Sequence, residues 1–284
     1  MIINKILAAY SGTGNTEDLL KYLMLLPSLK NSSLNLLNVV SSKNISDDEM
    51  AVKLEEGDQV LETTIAKLNI NNNKVSKIVR QGEPKDTVLK VAKEINADLI
   101  MIGSRGLGRL ESILKNSVSQ YVFQLANRPM LLVKDDIYVK RIKKVMVAMD
   151  KSKAAQDALQ TALFLLRDYE DGEIILTRIN PDLDKKLNLS SEEMSNNPIL
   201  APAARKAKQM GIKYSCLVKG GKPAKQICKL VEEFDIDLLV LGSPERRPSI
   251  AKSLPDLERL LGSSLSDYVR VNASCPVLLT RTDD

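Results

Sequence analysis

Short apolar runs alternate with longer amphipathic segments along the whole chain. Because the runs are almost continuously apolar, they are typical of strands buried on both faces of a parallel sheet. The segments between them carry apolar side chains at helical spacing, for example at Val88, Ala92 and Ile95. The predicted strands are residues 3–10, 34–40, 75–79, 99–102, 130–133, 144–149, 173–179, 214–218, 238–241 and 277–279. The pattern predicts an α/β fold with doubly wound parallel sheets.

The same pattern occurs twice. Gly82-Glu-Pro84 recurs 139 positions later as Gly221-Lys-Pro223, whereas Tyr121 recurs 147 positions later as Tyr268. The longer second offset places an insertion in the second copy, within the loop before the last helix. Self-similarity at a fixed offset indicates repeated structural units. We predict two tandem domains, each with a five-stranded sheet, at residues 1–138 and 139–284.

The composition excludes several kinds of site. The chain contains no histidine, so a Ser-His-Asp triad, a histidine base and a His-ligated metal are all ruled out. Tryptophan is absent, aromatic residues make up 4% of the chain and the net charge is only +5. A nucleic-acid partner is therefore not expected.

Cysteine usage and hydropathy bear on the compartment. Cys216, Cys228 and Cys275 form no CxxC pair, which favours free, buried or half-buried thiols in a reducing environment. No apolar run approaches the roughly 18 residues of a membrane span, and the first residues do not resemble a signal peptide. We expect a cytoplasmic protein without a membrane span.

One loop concentrates groups that bind anions. After the strand at 99–102 come Gly103, Arg105 and Gly106, and the next helix begins near Ser117 and Ser119. Glycine amides and hydroxyls at a helix N-terminus form a cradle for phosphate, and arginine adds positive charge. It is not a Walker loop, because no GxxxxGK[ST] occurs. The alternative is structural: the glycines only permit a tight turn from strand to helix.

This loop resembles the nucleotide signature of the universal stress protein family: Gly, two residues, Gly, nine residues, then Gly followed by Ser or Thr. Gly103 and Gly106 fit the spacing, and Asn116 replaces the third glycine before Ser117. Asn is a mild departure, because it tolerates a left-handed backbone. The resemblance spans both copies and implies ATP or AMP, with or without Mg²⁺, as ligand. It implies a site formed by Val39 or Val40 near the base and by Gly103, Arg105, Gly106, Asn116, Ser117, Val118 and Ser119 around phosphate and ribose.

The two copies depart from the family pattern in different ways. Where the family has an acidic residue after the first strand, the first copy has Ser11 and Thr13, whereas the second copy retains Asp150. The second copy has Glu245 at the position of Gly106, in a longer loop that contains prolines. A carboxylate repels phosphate, and proline has no donor amide. We expect the nucleotide mainly in the first copy, with hydroxyls of Ser11 and Thr13 in place of the acid.

The resemblance implies a regulatory protein of the stress response, in which the nucleotide biases a conformation or the interface with an unidentified protein partner. It implies no enzyme, or at most slow ATP hydrolysis. Because single-copy family members dimerise, we expect an intramolecular pseudo-dimer, and a further homodimer is an alternative. We interpret the segment 181–203 as a mobile excursion and the basic cluster at 140–144 as a solvated linker.

Two other functions are left open. One is a scaffold that binds no nucleotide and acts through protein contacts, which the altered second loop and the missing first acid both favour. The other is FMN binding, because Tyr10-Ser-Gly-Thr-Gly-Asn-Thr-Glu17 resembles the phosphate loop of flavodoxins. The rest of the chain does not follow the flavodoxin pattern, and no tryptophan is available to stack on a flavin.

Overall fold

A computed structural model describes residues 2–12, 16–42, 45–68, 74–104, 118–183, 197–243 and 264–281. The strands of the first repeat are β1 Lys5–Ala9, β2 Ser33–Val40, β3 Val75–Gln81, β4 Leu99–Ser104 and β5 Met130–Lys134. Its helices are α1 Thr16–Met24, α2 Asp47–Leu68, α3 Pro84–Glu94 and α4 Val118–Leu125. The strands of the second repeat are β6 Lys144–Ala148, β7 Glu173–Asn180, β8 Lys213–Gly220, β9 Leu238–Gly242 and β10 Val277–Thr280. Its helices are α5 Lys153–Leu166, α6 Leu200–Gln209, α7 Pro223–Glu233 and α8 Leu265–Asn272.

The strands form one continuous sheet in the order β3-β2-β1-β4-β5-β10-β9-β6-β7-β8. Within each repeat all neighbouring strands are parallel, and the order reverses between β1 and β4 and again between β6 and β9. The predicted doubly wound α/β fold is confirmed. The structure differs from two separate sheets in one respect: β5 and β10 pair antiparallel, with Val277 opposite Leu132.

Helices cover both faces of the sheet. Right-handed crossovers place α1, α2, α5 and α6 on one face and α3, α4, α7 and α8 on the other. The two cores reflect this division: Leu34 and Leu36 of β2 belong to one core, and Leu37 belongs to the other. The apolar runs predicted as strands therefore form strands because both of their faces are buried. The two edge strands are exceptions, since all side chains of β3 and most of those of β8 are half-buried or exposed.

An aspartate anchors the start of the first strand in each repeat. Asp98 Oδ2 accepts hydrogen bonds from the backbone nitrogens of Asn4 and Lys5, at 2.8 and 2.9 Å. Its counterpart Asp237 accepts the same two bonds from the backbone of residues 143–144, at 2.9 and 2.8 Å. The repeated Ala/Ile-Asp-Leu motif thus has a structural role, because its carboxylate accepts hydrogen bonds from two backbone donors at the amino end of β1 or β6.

The four basic residues of the cluster at 140–144 are exposed, as expected for a solvated segment, and two of them also contact the second repeat. The Lys140 ammonium pairs with the carboxylate of Asp235, and the Arg141 guanidinium lies 5.8 Å from the centre of the Tyr169 ring. These contacts fasten the connection between the repeats to the second repeat.

The interpretation of residues 181–203 as an excursion is wrong at its C-terminal end. Helix α6 begins at Leu200, which is fully buried, and Asn197 Oδ1 accepts hydrogen bonds from the nitrogens of Ile199 and Leu200. Pro202 suggested a loop, but it lies in the first helical turn, where its missing N–H costs nothing. Residues 184–196 lie outside the described part of the chain.

No helix within the described ranges is long and apolar enough to cross a membrane.

The three cysteines are free, as predicted: Cys216 is half-buried, and Cys228 and Cys275 are buried. Burial raises the pKa of the Cys228 thiol to about 11, and burial also raises the pKa of the Cys216 and Cys275 thiols. Only the thiolate is nucleophilic, so at a pH below these raised pKa values all three react slowly in the folded state.

We expect a disulfide reagent such as Ellman's reagent at mildly alkaline pH to modify Cys216 slowly and to leave Cys228 and Cys275 unmodified. All three thiols should react once the protein is unfolded in guanidinium, and Cys216→Ser should abolish the slow native reaction. Fast modification of Cys275 in the folded protein would contradict the described packing.

Candidate functional site

Four of the predicted site residues lie at the carboxyl ends of three neighbouring strands, β2, β1 and β4. Ala9 of β1 pairs with Ile102 of β4, so Ser11, just after β1, and Gly103, near the end of β4, lie at adjacent carboxyl ends. Ala9 also pairs with Leu37, which places the end of β2, with Val39 and Val40, at the same edge. The strand order reverses between β1 and β4, and ligands of doubly wound sheets bind at such a point.

The turn after β1 is held in place by its neighbours. The Tyr10 nitrogen donates to the Leu37 carbonyl at 2.9 Å, and Asn38 Nδ2 donates to the Tyr10 carbonyl at 3.1 Å. Gly57 of α2 lets Asn38 fit, since a Cβ at Gly57 would lie 2.8 Å from Asn38 Oδ1. Gly12 has a φ of +83° and follows the exposed Ser11. The fold therefore presents Ser11 on a fixed turn.

The predicted site residues of the first repeat differ in how deeply they are buried. Val39 packs against the core, and Val40 is buried with its carbonyl oxygen accepting from the Gly82 nitrogen at 2.9 Å. Val118, which is half-buried, and Ser119, which is buried, begin helix α4. The predictions for Thr13, Arg105, Gly106, Asn116 and Ser117 lie outside the described residues.

Gly103 has a structural reason to be glycine. A Cβ at Gly103 would lie 2.8 Å from Oγ1 of Thr16, the buried first residue of α1. At its counterpart Gly242, a Cβ would lie 2.4 Å from the backbone carbon and oxygen of Ala154. In both repeats the glycine lets the first helix approach the strand end. Gly103 is nevertheless exposed, so its surface is open to a ligand.

Asp150 belongs to the second repeat and lies at the carboxyl end of β6, apart from the residues of the first repeat. Its Oδ1 accepts hydrogen bonds from the nitrogen, at 2.8 Å, and the hydroxyl of Ser152. Ser152 in turn caps α5 by accepting from the Ala155 nitrogen at 3.1 Å. In the described structure, the retained acid therefore organises the turn into α5.

The start of α8 in the second repeat holds a buried polar cluster that sequence reasoning missed. Ser264 Oγ accepts from the Asp267 nitrogen at 3.2 Å and donates to Asp267 Oδ2 at 3.1 Å. Ser266 Oγ lies 3.1 Å from Ser264 Oγ and 3.2 Å from Ser243 Oγ. The hydroxyls at this helix N-terminus thus bond to one another and to a carboxylate. The Ser-x-x-Asp spacing of an N-cap was the available signal.

Two buried arginines extend the cluster to the first repeat. Arg270 Nη2 lies 3.3 Å from Asp267 Oδ1, and the side chains of both residues are more than nine-tenths buried. The guanidinium carbons of Arg270 and Arg281 lie 5.7 and 4.6 Å from the centre of the Phe123 ring. Burial lowers the pKa of Arg270, and Asp267 opposes that shift. No hydrogen-bond partner of Arg270 Nε occurs among the described residues.

A cavity of about 480 Å³ lies beside the β1–α1 turn. Tyr10 and Gly12 line one side. The other side is a mostly polar face of α2, formed by Glu56, Gln59, Val60, Thr63, Thr64 and Lys67. Burial raises the pKa of Tyr10, whose hydroxyl donates to Glu17 Oε2 at 3.3 Å. Neither Val40 nor Gly103 lines this cavity, so it adjoins the predicted site without coinciding with it.

Comparison with known proteins gives these features a family context. The profile of the universal stress protein family matches residues 3–134 and again residues 141–281. The chain belongs to the universal stress protein family. The two matches lie on either side of the predicted boundary between residues 138 and 139, and the boundary itself stays a prediction.

Single-repeat relatives match about half of this universal stress protein. Universal stress protein MJ0577 of Methanocaldococcus jannaschii is 27% identical over 156 residues, which are 47% of this chain and 96% of the relative. Universal stress protein YxiE of Bacillus subtilis is 28% identical over 148 residues, or 47% of this chain and 100% of the relative. The crystal structure of a universal stress protein from Archaeoglobus fulgidus matches 99% of this chain and 97% of its own, with 25% identity and a TM-score of 0.75. The two-repeat architecture therefore occurs in a solved structure.

Gly242→Ala should lower the free energy of unfolding by about 3 kcal/mol, because the added methyl overlaps the backbone of Ala154, which does not move independently of α5. The matched variant Gly103→Ala should cost about 1 kcal/mol or less, because it meets only the Thr16 hydroxyl. Urea titration followed by circular dichroism measures both. Equal losses would contradict the difference between the two sites.

Asp267→Asn should destabilise the protein by about 3–5 kcal/mol, because it leaves Arg270 buried without its carboxylate partner. Replacing both residues by apolar ones of similar size, as Asp267→Leu with Arg270→Met, should recover most of the loss. The same urea titration tests this cycle. A double variant as unstable as the single one would show that Asp267 acts through Ser264 rather than through Arg270.

Proposed function

We propose that this universal stress protein is a cytoplasmic regulatory protein that binds an adenine nucleotide, ATP or AMP, mainly in the first repeat. Bound nucleotide biases a conformation or an interface that a protein partner recognises. Three free thiols are in keeping with a reducing compartment.

The observation that carries the proposal is the position of Gly103. It is the penultimate residue of β4, beside the end of β1 at the point where the strand order reverses, and it is the first glycine of the family's nucleotide signature. Ser11 is exposed on the adjacent turn, and Val118 and Ser119 begin the helix that follows the loop. The end of β4, the hydroxyl of Ser11 and the N-terminus of α4 lie at the carboxyl ends of the strands. Together they suit the binding of a phosphate and a ribose.

The helix starts of the two repeats support a preference for the first. At the third position of α8, Asp267 places a buried carboxylate where a phosphate would otherwise meet the helix N-terminus. At the same position of α4 the first repeat has the neutral Gln120. A carboxylate repels a phosphate strongly when both are away from water. The second repeat already satisfies its helix N-terminus with its own side chains.

The residues of the site fit binding better than catalysis. The chain has no histidine, and the described residues contain no cluster of Asp, Glu and Cys suited to a metal ion. Amides, hydroxyls and a helix N-terminus orient a nucleotide but do not activate water. Any Mg²⁺ would be expected to arrive with the phosphates.

A scaffold role is the second candidate, and the cluster of the second repeat favours it there. Its serines and Asp267 bond to one another, Asp267 pairs with Arg270, and the Arg270 guanidinium lies over the ring of Phe123 in the first repeat. We propose that the second repeat supports the first and contributes to a partner surface. Sedimentation analysis with and without nucleotide tests whether two chains form a homodimer.

The direct test is to denature the purified protein and identify any released small molecule by mass spectrometry, followed by calorimetric titration with ATP, AMP and FMN. We expect an adenine nucleotide from the wild type and none from Gly106→Glu, because a carboxylate in the signature loop would repel the phosphates. Glu245→Gln is the matched control in the second repeat and should leave binding unchanged.

Each other outcome points to a different function. Release of FMN would identify a flavodoxin-like protein. Loss of binding in Glu245→Gln but not in Gly106→Glu would move the site to the second repeat. An empty extract with no heat of binding would contradict the proposal and leave the scaffold.

A further inference from the structure

Arg281 connects the second repeat to helix α4 of the first. Its buried side chain follows β10, and Nη1 donates to the carbonyl oxygen of Ser243 at 2.9 Å and to Ser243 Oγ at 3.1 Å. Nη2 donates to the carbonyl oxygen of Phe123, and the guanidinium stacks on the Phe123 ring. One side chain thus joins the start of the loop in the second repeat to the last turn of α4.

Lys134 makes the reciprocal contact. It ends β5, lies 147 positions before Arg281 and is buried. Its Nζ donates to the carbonyl oxygen of Val271, in the last turn of α8, at 3.2 Å. The last carbonyls of a helix have no partner in that helix and form the negative end of its dipole. A cation from each repeat therefore fixes the C-terminal end of the corresponding helix in the other repeat.

We propose that Arg281, a residue of the second repeat, is a positioning residue for the nucleotide site of the first repeat. This inference rests on the proposed function, because α4 carries Val118 and Ser119 of that site at its N-terminal end. Within the described residues α4 covers Val118–Leu125, about two turns, so a displacement of its last turn at Phe123 is transmitted to Val118 and Ser119. Its N-terminal groups then lose their fixed distance from Gly103, and nucleotide affinity falls.

Lys134 supplies the matched comparison, because it positions α8 rather than α4. We would measure nucleotide affinity by calorimetry for Arg281→Gln and Lys134→Gln, well below the melting temperature of each variant. Arg281→Gln should raise the Kd for AMP or ATP about tenfold, whereas Lys134→Gln should change it less than about twofold. Arg281→Lys should restore part of the affinity, since a lysine reaches one carbonyl but does not bridge two. Lys143→Gln, which removes an exposed charge paired with Asp171, controls for net charge.

The outcomes separate this inference from the proposed function. If Arg281→Gln binds like the wild type, the inference is overturned and the proposed function stands. If Lys134→Gln is the sensitive variant, the site lies in the second repeat and the inference is overturned. If the wild type binds no nucleotide, the proposed function fails, and hydrogen exchange then tests the positioning alone. Faster exchange of the amides of α4 in Arg281→Gln and of α8 in Lys134→Gln supports it, and unchanged exchange overturns it.

Discussion

The antiparallel pair of β5 and β10 is the contact on which the rest of the architecture depends. It turns two five-stranded parallel sheets into one sheet, and it gives each repeat's last strand a buried neighbour on both sides. An unpaired edge in the middle of a protein would leave backbone donors and acceptors unsatisfied. The pair also brings the end of each strand against the last turn of a helix from the other repeat. Lys134 and Arg281 make their contacts there.

Around this near-symmetric contact the two repeats have diverged in charge. Lys134 and Phe123 in the first repeat correspond to Arg281 and Arg270 in the second, so the second repeat concentrates two guanidiniums at the interface. Asp267 balances part of that charge within the protein. Breaking a group of buried side chains that bond to one another costs free energy, because each group loses its partner in a region of low dielectric. At the position of Asp267 the first repeat has the neutral Gln120, which is the physical basis for proposing that the ligand binds there.

Glycine at the end of β4 and of β9 serves packing before it serves any ligand. A Cβ at Gly103 would meet Thr16, and one at Gly242 would meet the Ala154 backbone. The alternative raised from the sequence, a tight strand-to-helix turn at Gly103 and Gly106, falls on a loop that lies outside the described residues from residue 105 onward. Close packing and ligand binding are compatible at Gly103, because the residue is exposed although it approaches α1 closely. At Gly242 the contact is with backbone, so the constraint on the residue is steric whether or not a ligand binds.

The sequence alone determined the strands, the duplication and the family, because continuous apolar runs and repeated motifs depend only on local residue order. It also located Ser11 just after a strand and Val118 at a helix start, whereas β4 extends two residues beyond the predicted end and includes Gly103. It did not reveal helix α6, because Pro202 is a loop signal that becomes harmless only at a helix start. The single sheet, the cluster around Asp267 and the bridge through Arg281 were decided by tertiary structure alone. The strand pair and the bridge join residues more than a hundred positions apart, and only the pairing of β5 with β10 brings those residues within hydrogen-bonding distance. The cluster around Asp267 is more local, but it forms only because the fold places Ser243, after β9, beside the start of α8.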